Sequence, residues 1–340
     1  MDDERFMRAA LREARRGLGH TSPNPAVGAV IVRGGRIVAR GYHRRAGLPH
    51  AEIEALRALK NPASASGAVL YVTLEPCSTH GRTPPCVEAI IEEKIARVVI
   101  GAIDPNPEHA GRGIELLRAA GIEVTHGVLD AECRELNAAF NKWIVTKLPL
   151  VIAKAGMSLD GRLTRPPGEG QWLTSAAARA DVHRLRAQVD AILIGAGTLR
   201  ADNPRLTVRG VAGARQPWRV IVAGREPLRR DAHLFTDEHR DRTLVYRGKS
   251  LRAVLRDLGR REITSVMIEG GMRVFGEAFD ERLVDRVQLY LAPLLCGGPA
   301  VVVGGKGASS TAESPTLRDP VYKRIGDDLR LTARVAPSAA

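Results

Sequence analysis

The chain has 340 residues, 44% of them hydrophobic and 26% charged, enough length and apolar material for two globular domains of ordinary size. No stretch approaches the roughly 18 consecutive apolar residues of a membrane span, and the opening MDDERFMRAALREARRG lacks a signal-peptide core, so a cytoplasmic protein without a membrane partner is expected. The net charge of +13 suggests nucleic acid, but aromatic content is only 4% and the arginines fall in short groups at 15–16, 44–45, 229–230 and 260–261, so no nucleic-acid partner is expected.

Residues 3–19 carry apolar side chains at Phe6, Ala9, Ala10, Leu11 and Ala14 with charges between them, an amphipathic helix that Asp2 or Asp3 could cap. Residues 21–28, Thr-Ser-Pro-Asn-Pro-Ala-Val-Gly, are too rich in turn formers to be regular. AVGAVIV (26–32) and RIVARGYH (36–43) flank Gly34-Gly35 and predict a β-hairpin.

The stretch from His50 to Cys86 carries the chemistry. It holds His50-Ala51-Glu52, then EPCSTHGRTPPC at 75–86. One imidazole and two potential thiolates, His50, Cys77 and Cys86, make the three protein ligands of a catalytic zinc that keeps a fourth position for water. The pattern H-x-E followed by P-C-x-x-C marks zinc nucleobase deaminases; here eight residues separate the two cysteines. AEIEALRALK (51–60) reads as a helix, and Pro84-Pro85 suit the start of another, so His50 and Cys86 fall near helix N-termini, where thiolate is favoured over thiol. Glu52 is better placed to move protons between water, a ring nitrogen and departing ammonia than to bind metal. A closed structural zinc, with His80 as fourth ligand, is the alternative. Four cysteines, at least two of them metal-like, fit a reducing compartment, and Cys133 and Cys296 read as ordinary small hydrophobes.

AVLYVTL (68–74) and ARVVIGAI (96–103) are buried strands, the second ending in Asp104-Pro105-Asn106-Pro107. A helix near 113–120, a strand at 122–126 and a helix near 130–140 complete a layered α/β domain with chemistry on strand-end loops. Residues 141–149, polar in part and closed by Pro149, read as a connector, which puts the boundary near 146 and the domains at 1–146 and 147–340. In the second half strands are expected at 150–156, 190–197, 218–224, 264–271, 284–292 and 328–335. Helices are expected at 177–189 and before Phe279, with an irregular stretch from Pro299 to Pro320. No internal repeat relates the halves, and no G-x-G-x-x-G follows a strand. Gly195-Ala196-Gly197-Thr198 and Glu269-Gly270-Gly271 follow strands, and are either phosphate cradles or tight turns. Lys154 is costly in an apolar strand unless it meets an anion.

TSPNPAVGAVIV, GYHRRAGLPHAE, EPCSTHGRTPPC and DPNP together resemble the deaminase half of the bifunctional riboflavin-biosynthesis deaminase/reductase family. KAGMSLDGR (154–162), GQWLTS (170–175), DAILIGAGTLRADNPRLTVR (190–209) and IEGG (268–271) resemble its reductase half, in the same order. The resemblance implies a cytidine-deaminase-like three-layer domain with one zinc, followed by a dihydrofolate-reductase-like α/β domain that uses NADPH. It implies deamination of a diaminopyrimidinone carrying a phosphoribosylamino group, then reduction of its ribose to a ribityl chain.

By the same resemblance His50, Cys77 and Cys86 are zinc ligands, Glu52 the proton donor, and Asn24, His43, Arg82, Asp104 and Asn106 hold the first substrate. On chemistry alone Asn24 could read ring heteroatoms and Arg82 pair with a phosphate, or both could be ordinary loop residues. In the second half the matching substrate positions are Lys154, Gly170, Arg186, Leu206, Arg209 and Glu269. The cofactor positions are Gly156, Trp172, Thr198, Asp202, Gly224 and the segment Gly271, Met272, Arg273, Val274, Phe275, Gly276 and Glu277. Gly170 stands where relatives often carry serine, and Ala223-Gly224 where Asp-Ser is common. A deaminase of nucleic-acid bases with a C-terminal binding domain is the rival reading, and a zinc-stabilised scaffold a third. A homo-oligomer is compatible with the sequence.

Overall fold

A computed structural model describes residues 2–79, 84–163, 172–298 and 302–336. The chain divides into two compact units, Met1–Lys147 and Leu148–Ala340.

In the first unit, α1 (Asp3–Arg15) begins at Asp2, whose carboxylate accepts the Arg5 N–H at 3.1 Å. The hairpin is β1 (Gly28–Arg33) and β2 (Arg36–Tyr42), antiparallel as its glycine pair predicts. Then come α2 (Ala51–Arg57), β3 (Val69–Leu74), α3 (Cys86–Glu92), β4 (Arg97–Ala102), α4 (Arg112–Ala119) and β5 (Glu123–His126). The sheet order is β2-β1-β3-β4-β5, with β3, β4 and β5 parallel. Alternation along the strands splits the core between two faces. Ala29, Ile31, Leu70, Val72, Val98 and Ile100 pack with residues of α2, α3 and α4, while Val30, Val32, Tyr71 and Val99 pack with Phe6, Met7 and Leu11 of α1. The result is three layers. At Gly41 a Cβ would lie 2.3 Å from Ala51 O and Ala55 N, so only glycine lets α2 press onto β2.

Two expectations fail here. The helix near 130–140 is two helices, α5 (Asp130–Leu136) and α6 (Ala138–Thr146), broken at Asn137. The stretch read as a connector is therefore largely helical: AAFNKWIVT outweighs its polar Asn141 and Lys142, and the helix ends at Lys147, in the left-handed region at φ 58°, before Pro149 is reached.

The second unit runs β6 (Leu150–Ser158), α7 (Ala176–Arg186), β7 (Ala191–Gly195), α8 (Ala196–Asp202), β8 (Trp218–Ala223), α9 (His233–Thr236) and β9 (Thr243–Arg247). It continues with α10 (Leu251–Arg260), β10 (Ser265–Ile268), α11 (Met272–Asp280), β11 (Arg286–Ala292), β12 (Leu317–Ile325) and β13 (Asp328–Val335). Its eight strands lie in the order β12-β13-β11-β6-β10-β7-β8-β9, parallel from β11 to β9 and antiparallel at the β12–β13–β11 edge. The sequence patterning does not announce β9, α10 or β12, and β12 begins inside the segment read as irregular. α10 and α11 cover one core, built on Val151, Leu193, Val220, Val266 and Ile268.

Candidate functional site

In the first unit three separate elements bring the metal-type side chains together. β3 ends at Leu74 and hands the chain to Glu75, Pro76 and Cys77; α3 starts on Cys86; His50 immediately precedes α2. One ligand atom from each of His50, Cys77 and Cys86 lies within 4.8 Å of the others. His50 Nδ1 is 3.5 Å from Cys77 Sγ and 3.3 Å from Cys86 Sγ, and the Cys86 N–H donates to Cys77 Sγ at 3.3 Å. Hydrogen bonding from the Cys86 thiol first, and from His50, draws the Cys77 thiol down to about 4, and the same bond pushes Cys86 up. The cluster therefore favours a thiolate at Cys77, whose contact with His50 also raises the pKa of that ring.

Glu52, in the first turn of α2, is 3% exposed. Its Oε2 is buried with no hydrogen-bond partner among the described residues. Burial pushes its pKa up to about 7, partly offset by His50. A buried carboxylate oxygen left unmatched beside an imidazole and two sulfurs is what a catalytic metal and its water would complete, so the donor set fits zinc. His80 and Arg82 lie outside the described residues.

The His43 ring lies edge-on to that of His50, with centres 5.2 Å apart, and leads outward to Asn24. His43 is buried, and its Nδ1 lies 3.0 Å from the Pro49 carbonyl, which can only accept. The proton therefore sits on Nδ1, and Nε2 accepts from the Asn24 amide at 3.2 Å. Burial lowers the His43 pKa, consistent with a neutral ring that orients Asn24. Asp104 is buried and its pKa is raised, chiefly by that burial; its Oδ1 accepts the Asn106 N–H at 2.8 Å, and Asn106 Oδ1 accepts the Glu108 N–H at 3.2 Å.

Two residues of this site are missed by sequence reasoning. Asn137, 4% exposed, clamps Ala26 from both sides, accepting its N–H at 2.8 Å and donating to its carbonyl at 3.0 Å, and so holds the loop of Asn24. Glu75 accepts backbone N–H groups from Asp104, Gly111 and Gly113. A carboxylate at the end of an apolar strand is the available signal for Glu75; for Asn137, spacing gives none.

In the second unit Lys154, in mid-strand β6, has its anion. Its Nζ is 3.4 Å from Glu269 Oε2, while Arg186 grips the same carboxylate through Nε at 2.6 Å and Nη2 at 2.8 Å. Burial alone would raise the Glu269 pKa, but Arg186 and Lys154 outweigh it and hold the group at about 2. Arg186 Nη1 also donates to Thr207 O at 3.0 Å, and Arg209 lies two residues on, its N–H donating to His183 Nδ1 at 3.2 Å. Leu206 is buried with φ 51°, a left-handed backbone that a bulky side chain adopts only under constraint.

Thr198 Oγ1 stands 3.2 Å from where a Cβ on either Gly270 or Gly271 would lie, so this bare backbone lies close against the start of α8. That glycine cradle suits a phosphate-bearing cofactor. A Cβ at Gly156 would sit 3.2 Å from Thr174, whereas Gly224 faces open space. The Arg179 guanidinium lies 5.5 Å from the Trp172 ring centre, and burial raises the pKa of Asp202. Farther along α11 the side chains serve the fold: Val274, Phe275 and Gly276 are buried, Phe275 wholly within the core, and Glu277 Oε1 accepts the Leu251 N–H at the start of α10. Met272 and Arg273, on its first turn, are exposed. Gly170 lies outside the described residues.

Comparison with known proteins accounts for both units. Residues 1–102 match the cytidine and deoxycytidylate deaminase zinc-binding region, and residues 149–331 match the RibD C-terminal domain. The riboflavin biosynthesis protein RibD of Escherichia coli K12 is 40% identical over 97% of this chain and 99% of its own, and that of Aquifex aeolicus 39% over 96% and 97%. The chain belongs to the RibD family. Acinetobacter baumannii RibD superposes with a TM-score of 0.89 at 34% identity, covering 98% of this chain and 99% of that one. A Thermotoga maritima diaminohydroxyphosphoribosylaminopyrimidine deaminase/5-amino-6-(5-phosphoribosylamino)uracil reductase superposes at 0.88 with 35% identity over the same shares. As a RibD protein the chain is a bifunctional enzyme of riboflavin biosynthesis, a zinc-binding deaminase followed by a reductase. This favours the two-enzyme reading over a nucleic-acid deaminase with a binding domain. Among the described residues no helix is long and apolar enough to cross a membrane.

Proposed function

We propose that the first unit hydrolyses the ring amino group of a phosphoribosylamino-diaminopyrimidinone to give the uracil, and that the second uses NADPH to reduce the attached ribose to a ribityl chain. The observation that carries this is the convergence of His50, Cys77 and Cys86 beside the unmatched Oε2 of Glu52. These three side chains would hold the zinc, which when bound supplies Lewis-acid activation of water. Glu52 takes one proton from the attacking water and passes it to the ring nitrogen; it then takes the second from the hydroxyl added to the ring carbon and gives it to the amino group, which leaves as ammonia as the ring carbonyl forms. A carboxylate held near neutrality suits both directions of transfer. Asn24, held by His43, reads ring heteroatoms with its amide, Asp104 and Asn106 hold the ring from the opposite loop, and Arg82 pairs with the phosphate.

In the second unit Lys154, Arg186, Leu206, Arg209 and Glu269 hold the deaminated compound. Gly156, Trp172, Thr198, Asp202, Gly224 and the first turn of α11 from Gly271 hold the cofactor. NADPH supplies the reducing equivalents when bound. No acidic residue is placed by motif to favour an unphosphorylated ribose, so NADPH should outperform NADH. The work divides at 1–146 and 147–340, in the cytoplasm.

Supplying the deaminated phosphoribosylaminouracil with NADPH should consume NADPH absorbance, and the diamino compound should release ammonia and then do the same. One zinc per chain should survive His80→Ala. Deamination of RNA with salt-sensitive affinity and no NADPH turnover would overturn the proposal.

A further inference from the structure

We propose that Glu75 is a positioning residue of the deaminase, whose carboxylate fixes the loop bearing Asp104 and Asn106 against the strand end that delivers Cys77. The inference rests on reading that loop as substrate-holding. Glu75 follows β3 directly, is 5% exposed, and its own N–H bonds Ala102 O at 2.9 Å, continuing the β3–β4 pairing one residue past the end of β3. Three backbone donors, two from the next connection and one from the first turn of α4, converge on its side chain. Oε2 accepts from Asp104 at 3.2 Å and Gly111 at 3.0 Å, and Oε1 accepts from Gly113 at 2.9 Å.

Only a carboxylate has acceptors on both arms and no donor to misplace, so the residue type matches the task. The close approach is also built from the other side. A Cβ on Gly113 would meet Pro76 O at 2.4 Å, so glycine is what lets the first turn of α4 come up against the Glu75-Pro76 peptide. Within the loop, Asp104 and Asn106 each spend one side-chain oxygen on the backbone two residues on, so their remaining polar atoms point wherever the loop is set. Glu75 sets it relative to Cys77, two residues away in the chain. One side chain thereby ties the pyrimidine-reading loop to the metal-bearing one.

The test uses the full-length, zinc-loaded protein. Glu75→Gln keeps the size but turns one arm into a donor, which must face a backbone N–H. The expected result is one zinc retained, reductase turnover unchanged, and a deaminase KM raised about tenfold or more, with kcat changed far less. In the unmodified chain, hydrogen exchange at the amides of 104, 111 and 113 should be slow, and in Glu75→Gln fast. Asn106→Ala should also raise KM, and the double variant should cost less than the two effects multiplied. If Asp104→Asn and Asn106→Ala both leave KM unmoved, the substrate reading of the loop falls and this inference with it. If they raise KM while Glu75→Gln does not, or if Glu75→Gln loses zinc and kcat together, the inference alone is overturned. Should Glu75→Gln fail to fold, Glu75→Asp, which keeps the acceptors but shortens their reach, is read by the same criteria.

Discussion

Two glutamates, one in each unit, show how differently the same side chain behaves when buried. Glu52 is 3% exposed and the Glu269 side chain 9%. Glu52 has an oxygen without a partner among the described residues and is pushed up to about 7; Glu269 is gripped by Arg186 and Lys154 and held at about 2. Burial raises both, so burial does not decide between them. The partners do. A carboxylate left unmatched can trade protons, whereas one matched by two cations becomes a fixed charge that orients the groups around it. On the proposed function, the deaminase uses the first kind and the second frames the substrate site of the reductase.

This contrast can be broken at its metal-binding end first. Cys86→Ser removes one of three ligands, and deamination should fall to background with zinc lost, as read by metal content and ammonia release, while NADPH turnover on deaminated substrate continues. A Cys86→Ser protein that still deaminates would detach Glu52 from any metal.

Next is Glu269→Gln, which strands Arg186 and Lys154 without their anion. Losing one side of a buried ionic cluster costs about 3–5 kcal/mol, measurable by denaturant unfolding of the second unit. The pH dependence sharpens the same point. Because the folded pKa of Glu269 is depressed to about 2 from a reference of 4.5, its contribution is full above the unfolded value and is lost as pH falls from there toward 2. The variant should lack that acid limb; an unchanged limb would mean that other groups carry it.

The smallest effect belongs to Asn137→Ala. It leaves both backbone groups of Ala26 unmatched, at a cost of about 1–3 kcal/mol, and should raise the deaminase KM through a loosened Asn24 loop with the reductase untouched. A stable variant with normal KM would show that the Asn24 loop needs no such clamp.

The amino-acid sequence is most legible where a residue's chemistry and its neighbours along the chain coincide. His50, Glu52, Cys77 and Cys86 can be read because turn and helix-start signals lie beside them, and most strands of both sheets because their apolar runs are local. Supports reached across long sequence distances leave no such trace: Asn137 meets Ala26 over 111 residues and Lys154 meets Glu269 over 115. Residues 141–146 mislead for the opposite reason, since Asn141, Lys142 and the approaching Pro149 look like a linker while the helix-forming majority of α6 prevails. Only the cost of burying a lysine announces that Lys154 must find an anion, and that cost does not say which.

The central claim is that Glu52 moves protons in a zinc site that works independently of the reductase. Glu52→Gln tests it most directly, with zinc content, ammonia release and NADPH oxidation measured on one preparation. The account predicts full zinc, deamination reduced on the order of 10²–10⁴-fold or more, and near-normal reduction of deaminated substrate. Normal deamination, or loss of zinc, or loss of both activities together would contradict it.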